Sequence, residues 1–366
     1  MERDNQYMDM ALGLAKSALG QTSPNPLVGA VVVKDGAVVG IGAHLRAGEP
    51  HAEVHALRMA GDSTRGATLY VTLEPCSHHG KTPPCADAVV AAGISRVVIA
   101  VLDPNPLVAG NGVQKLRDFG LEVTVGVREE EARQLNEVFF HFITTKRPFV
   151  TVKTASTLDG KIASVTGHSR WITGSAARAQ VHELRRQYDA ILVGVGTVLA
   201  DDPELTARCK GQTFGRQPVR VILDSYLRTP LFARVIQGVE HVPTWIFTTE
   251  ESSPEKREEL LAKGVTVIAV ARPMTVDAVL SVLGERGITS LLVEGGAEVN
   301  GSFLQARAVQ KIVSYVSLKL IGGNGAPSPF GGQGLASMDE AVVLTHTQVE
   351  QVDERDIRII GYPKWS

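Results

Sequence analysis

The sequence is poor in cysteine and in long apolar runs, and each scarcity excludes a class of protein. Three cysteines among 366 residues cannot build a disulfide framework, and so low a number is typical of a reducing compartment. The longest apolar stretch, residues 190–200, has about 11 residues, whereas a membrane-spanning helix needs about 20. The first ten residues contain no apolar signal region, so we expect a soluble, cytoplasmic protein without a membrane partner.

Neither positive nor negative charge is in large excess, because 37 basic and 39 acidic residues leave a formal net charge of −2. Proteins that bind nucleic acid usually carry an excess or a stripe of positive charge, so we expect no nucleic-acid partner. Hydrophobic residues make up 44% of the chain, which is enough for real cores and excludes a disordered protein. At about 100–200 residues per domain, the length predicts two domains, or three small ones.

Helix and strand patterns alternate along the chain, with one polar break. Two β-rich runs, residues 28–34 and 37–43, are joined through Asp35-Gly36, which predicts a hairpin. An acidic-led helix pattern at 129–143 ends in a polar stretch closed by a proline, and a second series of strands and helices follows it. The sequence therefore predicts two α/β domains with at least partly parallel strands, over residues 1–146 and 147–366.

One histidine and two cysteines have the composition of a metal site. His51-Ala52-Glu53 precedes a predicted strand, and Cys76 and Cys85 follow it. One imidazole and two thiolates suit Zn²⁺, and three protein ligands leave a fourth position for water, as in catalytic zinc sites. Glu53 could then carry a proton between that water and a leaving group. Positions i and i+2 lie about 200° apart on a helix, so His51 and Glu53 can share a site only where the helix end faces the metal.

Other candidate residues carry weaker signals. His55 shares a helix face with the predicted ligand four residues earlier, but a packing role is more usual for such a histidine. His78 and His79 lie in a loop that could contact a substrate, and Cys209 is isolated, as expected of an ordinary small residue.

One short sequence occurs twice, at two positions far apart in the chain. The pentapeptide at residues 24–28, Pro-Asn-Pro-Leu-Val, recurs at residues 104–108. Coincidence of turn chemistry and two loops around one site both explain it, and the sequence alone leaves the two explanations open.

The motif His51-Ala52-Glu53 followed by Pro75-Cys76 resembles the zinc-dependent cytidine and deoxycytidylate deaminases, in which the glutamate acts as general acid and base. Those enzymes usually space their cysteines Cys-x2-Cys, whereas Cys85 follows at a longer interval here. The stretch 72–80, TLEPCSHHG, resembles more narrowly the bifunctional deaminase/reductase family of riboflavin biosynthesis. That resemblance implies a cytidine-deaminase-like α/β/α domain followed by a dihydrofolate-reductase-like α/β domain.

The likeness continues through the second half in the expected order, with KTASTLDGK at 153–161, RWITG at 170–174, GTVLADDP at 196–203 and VEGG at 293–296. It implies one zinc ion, NADPH, and a phosphorylated pyrimidine that is deaminated and then reduced from ribosyl to ribityl. It also implies that Arg185 and Arg208 grip the substrate's phosphate. By this resemblance the cofactor-binding residues are Ala155, Trp171, Thr197, Asp201, Ser225, Gly295, Gly296 and Ala297. The substrate-binding residues are Lys153, Ser169, Arg185, Leu205, Arg208 and Glu294.

Without the family resemblance, the residues of the second half give only weak evidence for a cofactor site. No Gly-x-Gly-x-x-Gly opens a helix after a strand, which disfavours a Rossmann domain. Glu294-Gly295-Gly296 lies between a predicted strand and helix, where glycine permits close approach of a phosphate, although a tight turn explains it equally well. A nucleic-acid or nucleotide base deaminase, a structural zinc module with a binding-only partner domain, and a homo-oligomer all stay open.

Overall fold

The computed structural model describes residues 2–77, 84–105, 109–209, 212–213 and 215–365. The chain divides into two compact units, Met1–Lys146 and Arg147–Ser366. Within the described residues, every helix is too short or too polar to cross a membrane. Three predicted features, His78, His79 and the end of the second Pro-Asn-Pro stretch at 106–108, lie outside the described residues.

The first unit contains a five-stranded sheet with the strand order β2-β1-β3-β4-β5. Strands β1, β2 and β3 pair antiparallel, whereas β3, β4 and β5 are parallel. The strands are β1 Gly29–Lys34, β2 Ala37–Ala43, β3 Thr68–Leu73, β4 Arg96–Val101 and β5 Glu122–Val125. The helices are α1 Glu2–Lys16, α2 Ala52–Ala60, α3 Cys85–Ala91, α4 Asn111–Asp118, α5 Glu129–Leu135 and α6 Glu137–Thr145, with a 3₁₀ turn at Gly61–Thr64.

Two glycines on β2 let helix α2 lie directly against the sheet. A Cβ atom at Gly42 would stand 2.1 Å from the Ala52 carbonyl oxygen, and one at Gly40 would stand 2.2 Å from that of Ala56. No larger residue fits at either position. The predicted hairpin between β1 and β2 is confirmed, since Asp35 and Gly36 adopt φ values of 51° and 81°.

The second unit contains a nine-stranded sheet with the order β12-β11-β10-β7-β13-β6-β14-β16-β15. Strands from β12 to β14 are parallel, and β16 and β15 complete the sheet antiparallel. The strands of this sheet are β6 Phe149–Thr157, β7 Ala190–Gly194, β10 Val219–Leu223, β11 Thr244–Thr249, β12 Thr266–Val270, β13 Ser290–Val293, β14 Lys311–Ser317, β15 Val343–Gln351 and β16 Asp356–Lys364. Two short strands, β8 Arg208–Cys209 and β9 Gln212–Thr213, form a separate antiparallel pair. The helices are α7 Ser175–Gln187, α8 Val195–Asp201, α9 Pro254–Ala262, α10 Val276–Glu285 and α11 Ala297–Gln305, with a 3₁₀ turn at Met338–Glu340.

One local prediction differs from the structure, and one short helix was not predicted. Residues after Gly194 form that short helix, α8. The single helix predicted at 129–143 is two helices that meet at Asn136. The break has a physical cause, because the buried Asn136 amide accepts a hydrogen bond from the Leu27 N–H at 2.8 Å and donates one to its carbonyl at 2.9 Å.

Replacing Asn136 with alanine should lower the free energy of unfolding of the first unit by about 1–3 kcal/mol, because both backbone groups of Leu27 lose a buried partner. Chemical denaturation followed by circular dichroism measures this loss. Tryptophan fluorescence provides an internal control, since Trp171, Trp245 and Trp365 all lie in the second unit. The exposed Gln134→Ala change is the matched control. Equal stability of both variants would contradict a structural role for the Asn136 amide.

Candidate active sites

The three predicted metal ligands meet at one point of the first unit. The His51 Nδ1 atom lies 3.2 Å from the Cys85 Sγ atom and 3.8 Å from the Cys76 Sγ atom. All three ligand atoms lie within 4.8 Å of one another. Zn–N and Zn–S bonds of about 2.0 and 2.3 Å in a tetrahedron require ligand atoms about 3.5–3.8 Å apart. The spacing therefore fits a zinc ion with small adjustments.

The protonation chemistry of the two thiols also fits a cation. Hydrogen bonds with Cys85 and His51 lower the pKa of Cys76 to about 4, which favours a thiolate there. The neighbouring sulfur and burial raise the pKa of the Cys85 thiol. Two adjacent sulfurs, one half-buried and one buried, thus favour one shared proton unless a cation balances both negative charges, and zinc is the cation that this donor set prefers.

Helix α2 begins at the site, which explains how His51 and Glu53 reach it together. His51 is the N-cap residue, with extended φ and ψ of −73° and 164°, and Glu53 lies in the first helical turn. The i, i+2 pair therefore faces the ligand cluster from a helix end rather than from a helix side. Cys76 follows β3, and Cys85 is the first residue of α3.

Glu74, which the sequence reasoning missed, fixes the segment that carries Cys76. This glutamate directly follows β3 and is 4% exposed, so its carboxylate needs hydrogen-bond donors. Four backbone N–H groups provide them at distances of 2.9–3.2 Å. A glutamate before Pro-Cys was visible in the sequence, but its distant partners were not. The donors belong to Asp103, Gly110, Gly112 and Val113.

Glu53 is buried, with 3% of its surface exposed, and this burial raises the pKa of its carboxyl group. Among the described residues, no donor reaches its Oε2 atom. Glu53, His51 and Cys76 line a cavity of about 470 Å³, which we call the first cavity. An unpartnered carboxylate oxygen therefore lies close to the three ligand atoms, on a residue that lines the cavity.

Both Pro-Asn-Pro stretches contribute to the wall of the first cavity, which favours the interpretation of two loops around one site. Asn25 comes from the first stretch and Asn105 from the second. The Asn25 Nδ2 atom lies 3.0 Å from the His44 Nε2 atom, which also lines the cavity. His55, in contrast, is not among the lining residues, as expected of a packing residue.

The second unit places three predicted residues in one ion-pair network at the carboxyl end of its central strands. Glu294 directly follows β13; its two carboxylate oxygens accept hydrogen bonds from Arg185 Nε at 2.6 Å and Nη2 at 3.0 Å. The Lys153 Nζ atom lies 3.3 Å from Glu294 Oε2. Burial alone would raise the pKa of Glu294, but the Arg185 and Lys153 charges lower it to about 2. The carboxylate is therefore ionised.

A glycine turn follows that glutamate. Cβ atoms at Gly194 and Gly295 would stand 2.8 and 2.6 Å from the Val299 side chain. Helix α11, which carries Val299, can therefore pack there only because neither position has a side chain. Gly296 is the N-cap residue of α11, and a Cβ atom there would stand 3.8 Å from the Thr197 hydroxyl. The ends of β7 and β13 thus form one small-residue surface next to a helix N-terminus, which suits a phosphate-bearing cofactor.

A second cavity, of about 880 Å³, collects most of the predicted cofactor and substrate residues. Ser225 is not among its lining residues; the carbonyl of Ser225 accepts hydrogen bonds from the Thr248 and Thr249 hydroxyls. Gly296 and Ala297 also lie outside the lining, although their neighbour Gly295 is part of it. The predicted residues that line the second cavity are Lys153, Ala155, Ser169, Trp171, Arg185, Thr197, Asp201, Leu205, Arg208, Glu294 and Gly295.

Two further pairs shape the wall of the second cavity. The Ser169 hydroxyl donates to the Asp201 carboxylate at 3.1 Å, and the Arg178 guanidinium lies 4.3 Å from the centre of the exposed Trp171 ring. Cys209, interpreted as an ordinary small residue, is exposed and also lines this wall. The prediction that Arg185 grips a phosphate stays a prediction, but in the structure its fork binds Glu294.

Family models match both units. Residues 1–101 match the cytidine and deoxycytidylate deaminase zinc-binding region, and residues 148–357 match the RibD C-terminal domain. Together with the three-ligand site and the glycine turn, these matches define a zinc-dependent deaminase fused to an NADPH-dependent reductase.

Whole-chain relatives lead to the particular family. Riboflavin biosynthesis proteins RibD of Bacillus amyloliquefaciens and Aquifex aeolicus are 49% and 50% identical, covering 99% and 96% of this chain and 96% and 97% of their own lengths. The solved structure of Acinetobacter baumannii RibD is similar with a TM-score of 0.90 at 40% identity, over 100% of this chain and 99% of that one. A Thermotoga maritima deaminase/reductase structure gives 0.87 at 43% identity, over 99% of each chain. The chain belongs to the RibD family of bifunctional riboflavin-biosynthesis enzymes.

Substituting Cys76 or Cys85 by serine should abolish zinc retention, because a hydroxyl is a poor zinc ligand at neutral pH. Elemental analysis of the purified protein should find about one zinc per chain in the wild type and far less in either variant. Cys209→Ser is the matched control and should retain the metal. Full zinc content in Cys76→Ser and Cys85→Ser would contradict the assignment of the ligands.

Proposed function

We propose that residues 1–146 remove the exocyclic amine of 2,5-diamino-6-(5-phosphoribosylamino)pyrimidin-4-one by hydrolysis. Residues 147–366 then reduce the ribosyl chain of the product to ribityl. The observation that carries the first half is the buried, unpartnered Oε2 atom of Glu53 beside the ligand atoms of His51, Cys76 and Cys85. A cavity of about 470 Å³ is of a size that holds a small molecule.

Glu53 is the residue that moves protons in the deamination. Zinc held by His51, Cys76 and Cys85 supplies Lewis-acid activation of water. The Glu53 carboxylate accepts a proton at Oε2 and returns it to the departing amine, so that water and substrate become the carbonyl product and ammonia. Burial of Glu53 keeps bulk water from competing for that oxygen.

The remaining wall of the first cavity orients the pyrimidine. Asn25, Asp103 and Asn105 offer amide and carboxylate groups that can read the donors and acceptors on the edge of the ring. Phe139 and Ile143 provide apolar surface against which the ring can pack. A few polar groups on an otherwise apolar wall are typical of a specific small-molecule site.

In the second cavity, the Glu294-Gly295-Gly296 turn and Thr197 hold the cofactor, and NADPH supplies the hydride. Lys153, fixed by Glu294, contacts the sugar and delivers a proton to it from Nζ. Arg185 keeps Glu294 in place, and Arg208 contacts the substrate's phosphate. The other cofactor residues of this proposal are Ala155, Trp171, Asp201, Ser225 and Ala297, and the other substrate residues are Ser169 and Leu205.

The redox state of the cysteines bears on where the enzyme works. Cys76 and Cys85 must remain reduced to bind zinc, and their sulfurs lie close enough to interact. A reducing compartment maintains that state. We therefore place the reaction in the cytoplasm.

Changing Glu53 to glutamine keeps the size of the side chain but removes its capacity to carry a proton. Deamination should fall at least about a hundredfold, as measured by ammonia release. Zinc content should not change, and NADPH-dependent reduction of substrate that is already deaminated should continue at the wild-type rate.

Glu130→Gln, a change at an exposed position on α5, is the matched control and should leave both rates unchanged. Loss of zinc from Glu53→Gln would make this glutamate a ligand and contradict its role as acid and base. Undiminished ammonia release would remove Glu53 from the mechanism.

A further inference from the structure

Two arginine–glutamate clusters line the second cavity, and they differ in depth. In the inner cluster, the side chains of Arg185 and Glu294 are 14% and 7% exposed. The outer cluster consists of Glu204, Arg208 and Arg234, whose side chains are 29%, 33% and 50% exposed. Arg234 and Glu204 were not among the predicted site residues.

Glu204 stands between the two outer arginines. Its Oε2 atom lies 2.6 Å from Arg208 Nη1, and its Oε1 atom pairs with Arg234 Nη2. The backbone holds this arrangement in place, because the Arg234 N–H donates to the Asp202 carboxylate at 2.8 Å. One carboxylate thus bridges two guanidinium groups that come from different segments of the chain.

The segment that carries Glu204 and Arg208 is also tied to the inner cluster. Arg185 Nη1 donates to the Thr206 carbonyl oxygen at 3.1 Å, and His182 Nδ1 lies 3.1 Å from the same oxygen. All of these side chains except that of Thr206 line the second cavity. The outer arginines are therefore held next to the site where the sugar is reduced.

The arginines of the two clusters differ in how easily an entering anion can take them from their glutamates. Glu294 is buried and pairs with both Arg185 and Lys153, so removing Arg185 would leave a buried carboxylate with too little compensating charge. Glu204 is a partly exposed carboxylate in water-accessible ion pairs, which contribute little and exchange readily. A phosphate carries up to two negative charges and three acceptor oxygens, and it matches the arginine fork.

We propose that Glu204 holds the position that the substrate's phosphate takes, and that Arg234 together with Arg208 binds this phosphate once Glu204 is displaced. This inference rests on the proposed reductase function. It assigns the specificity for a phosphorylated substrate to the outer cluster.

The test uses Arg234→Ala, Arg234→Lys and Glu204→Gln in the full-length enzyme, with the reductase assayed on 5-amino-6-(5-phosphoribosylamino)uracil and on the same compound without phosphate. Arg234→Ala should raise KM for the phosphorylated compound about tenfold and leave kcat and the dephosphorylated compound unchanged. Arg234→Lys, which keeps the charge but not the fork, should lie between Arg234→Ala and the wild type. Glu204→Gln should lower KM for the phosphorylated compound several-fold, because the competing carboxylate is gone.

Arg147→Ala is the matched control, since Arg147 is 42% exposed, pairs with Asp277, and does not line the cavity. A KM change in Arg234→Ala no larger than in this control would overturn the proposal. So would equal losses on both compounds, or a rise in KM in Glu204→Gln.

Calorimetric binding of ribose 5-phosphate, with ribose as its control, separates this inference from the proposed function because it needs no turnover. Arg234→Ala should weaken binding of ribose 5-phosphate, and Glu204→Gln should strengthen it, even if the wild type reduced no ribosyl compound. Unchanged binding in both variants would overturn the inference while leaving the proposed reductase activity intact.

Discussion

A glutamate carboxylate buried at the carboxyl end of a central strand must find hydrogen-bond donors, and in both units this requirement organises the site. Glu74 follows β3 and takes four backbone N–H groups, while Glu294 follows β13 and takes the side chains of Arg185 and Lys153. Losing the partners of such a group costs about 3–5 kcal/mol, so the surrounding segments are held firmly. In the first unit these segments carry Cys76, the proposed zinc ligand, and in the second they carry Lys153 and the glycine turn.

The two carboxylates use this constraint differently. Glu74 accepts hydrogen bonds from neutral backbone N–H groups, so it fixes the geometry next to the proposed zinc ligands without recruiting a cationic side chain. Glu294 is satisfied by cations, which lower its pKa and place a charged ammonium group in the second cavity. Glu53 contrasts with both, because its Oε2 atom has no donor among the described residues. The proton transfer that we propose therefore uses a different glutamate from the two that hold segments of the chain in place.

Much of the fold could be predicted from local patterns. Alternating helix and strand patterns predicted the α/β class, and Asp35-Gly36 predicted the first hairpin. Both signals can be read from the sequence because hydrophobic periodicity and turn preferences depend on residues close together in the chain. The family followed from His51-Ala52-Glu53 and Pro75-Cys76 together with the motifs of the second half. The sequence also indicated that His51 and Glu53 could share a site only at a helix end, and in the structure both lie at the N-terminus of α2.

The features that sequence reasoning missed depend on partners far away in the chain. Asn136 breaks a helix because of Leu27, 109 residues earlier, and Arg185 turns its fork to Glu294, also 109 residues away. Glu204 and Arg234 meet only because two loops reach the same rim of the second cavity. No local pattern shows such pairs, so the sequence could place Arg185 in the second site but could not show that Glu294 lies next to it.

The most direct test of the two-site account follows ammonia and NADPH separately during incubation with the phosphorylated diaminopyrimidine. The account predicts that ammonia is released whether or not NADPH is present, and that NADPH is oxidised only after deamination. Removing zinc with a chelator should stop ammonia release but leave NADPH oxidation intact on substrate that is already deaminated. Ammonia release that requires NADPH, or NADPH oxidation by a zinc-free enzyme acting on the undeaminated compound, would contradict two sites working in this order.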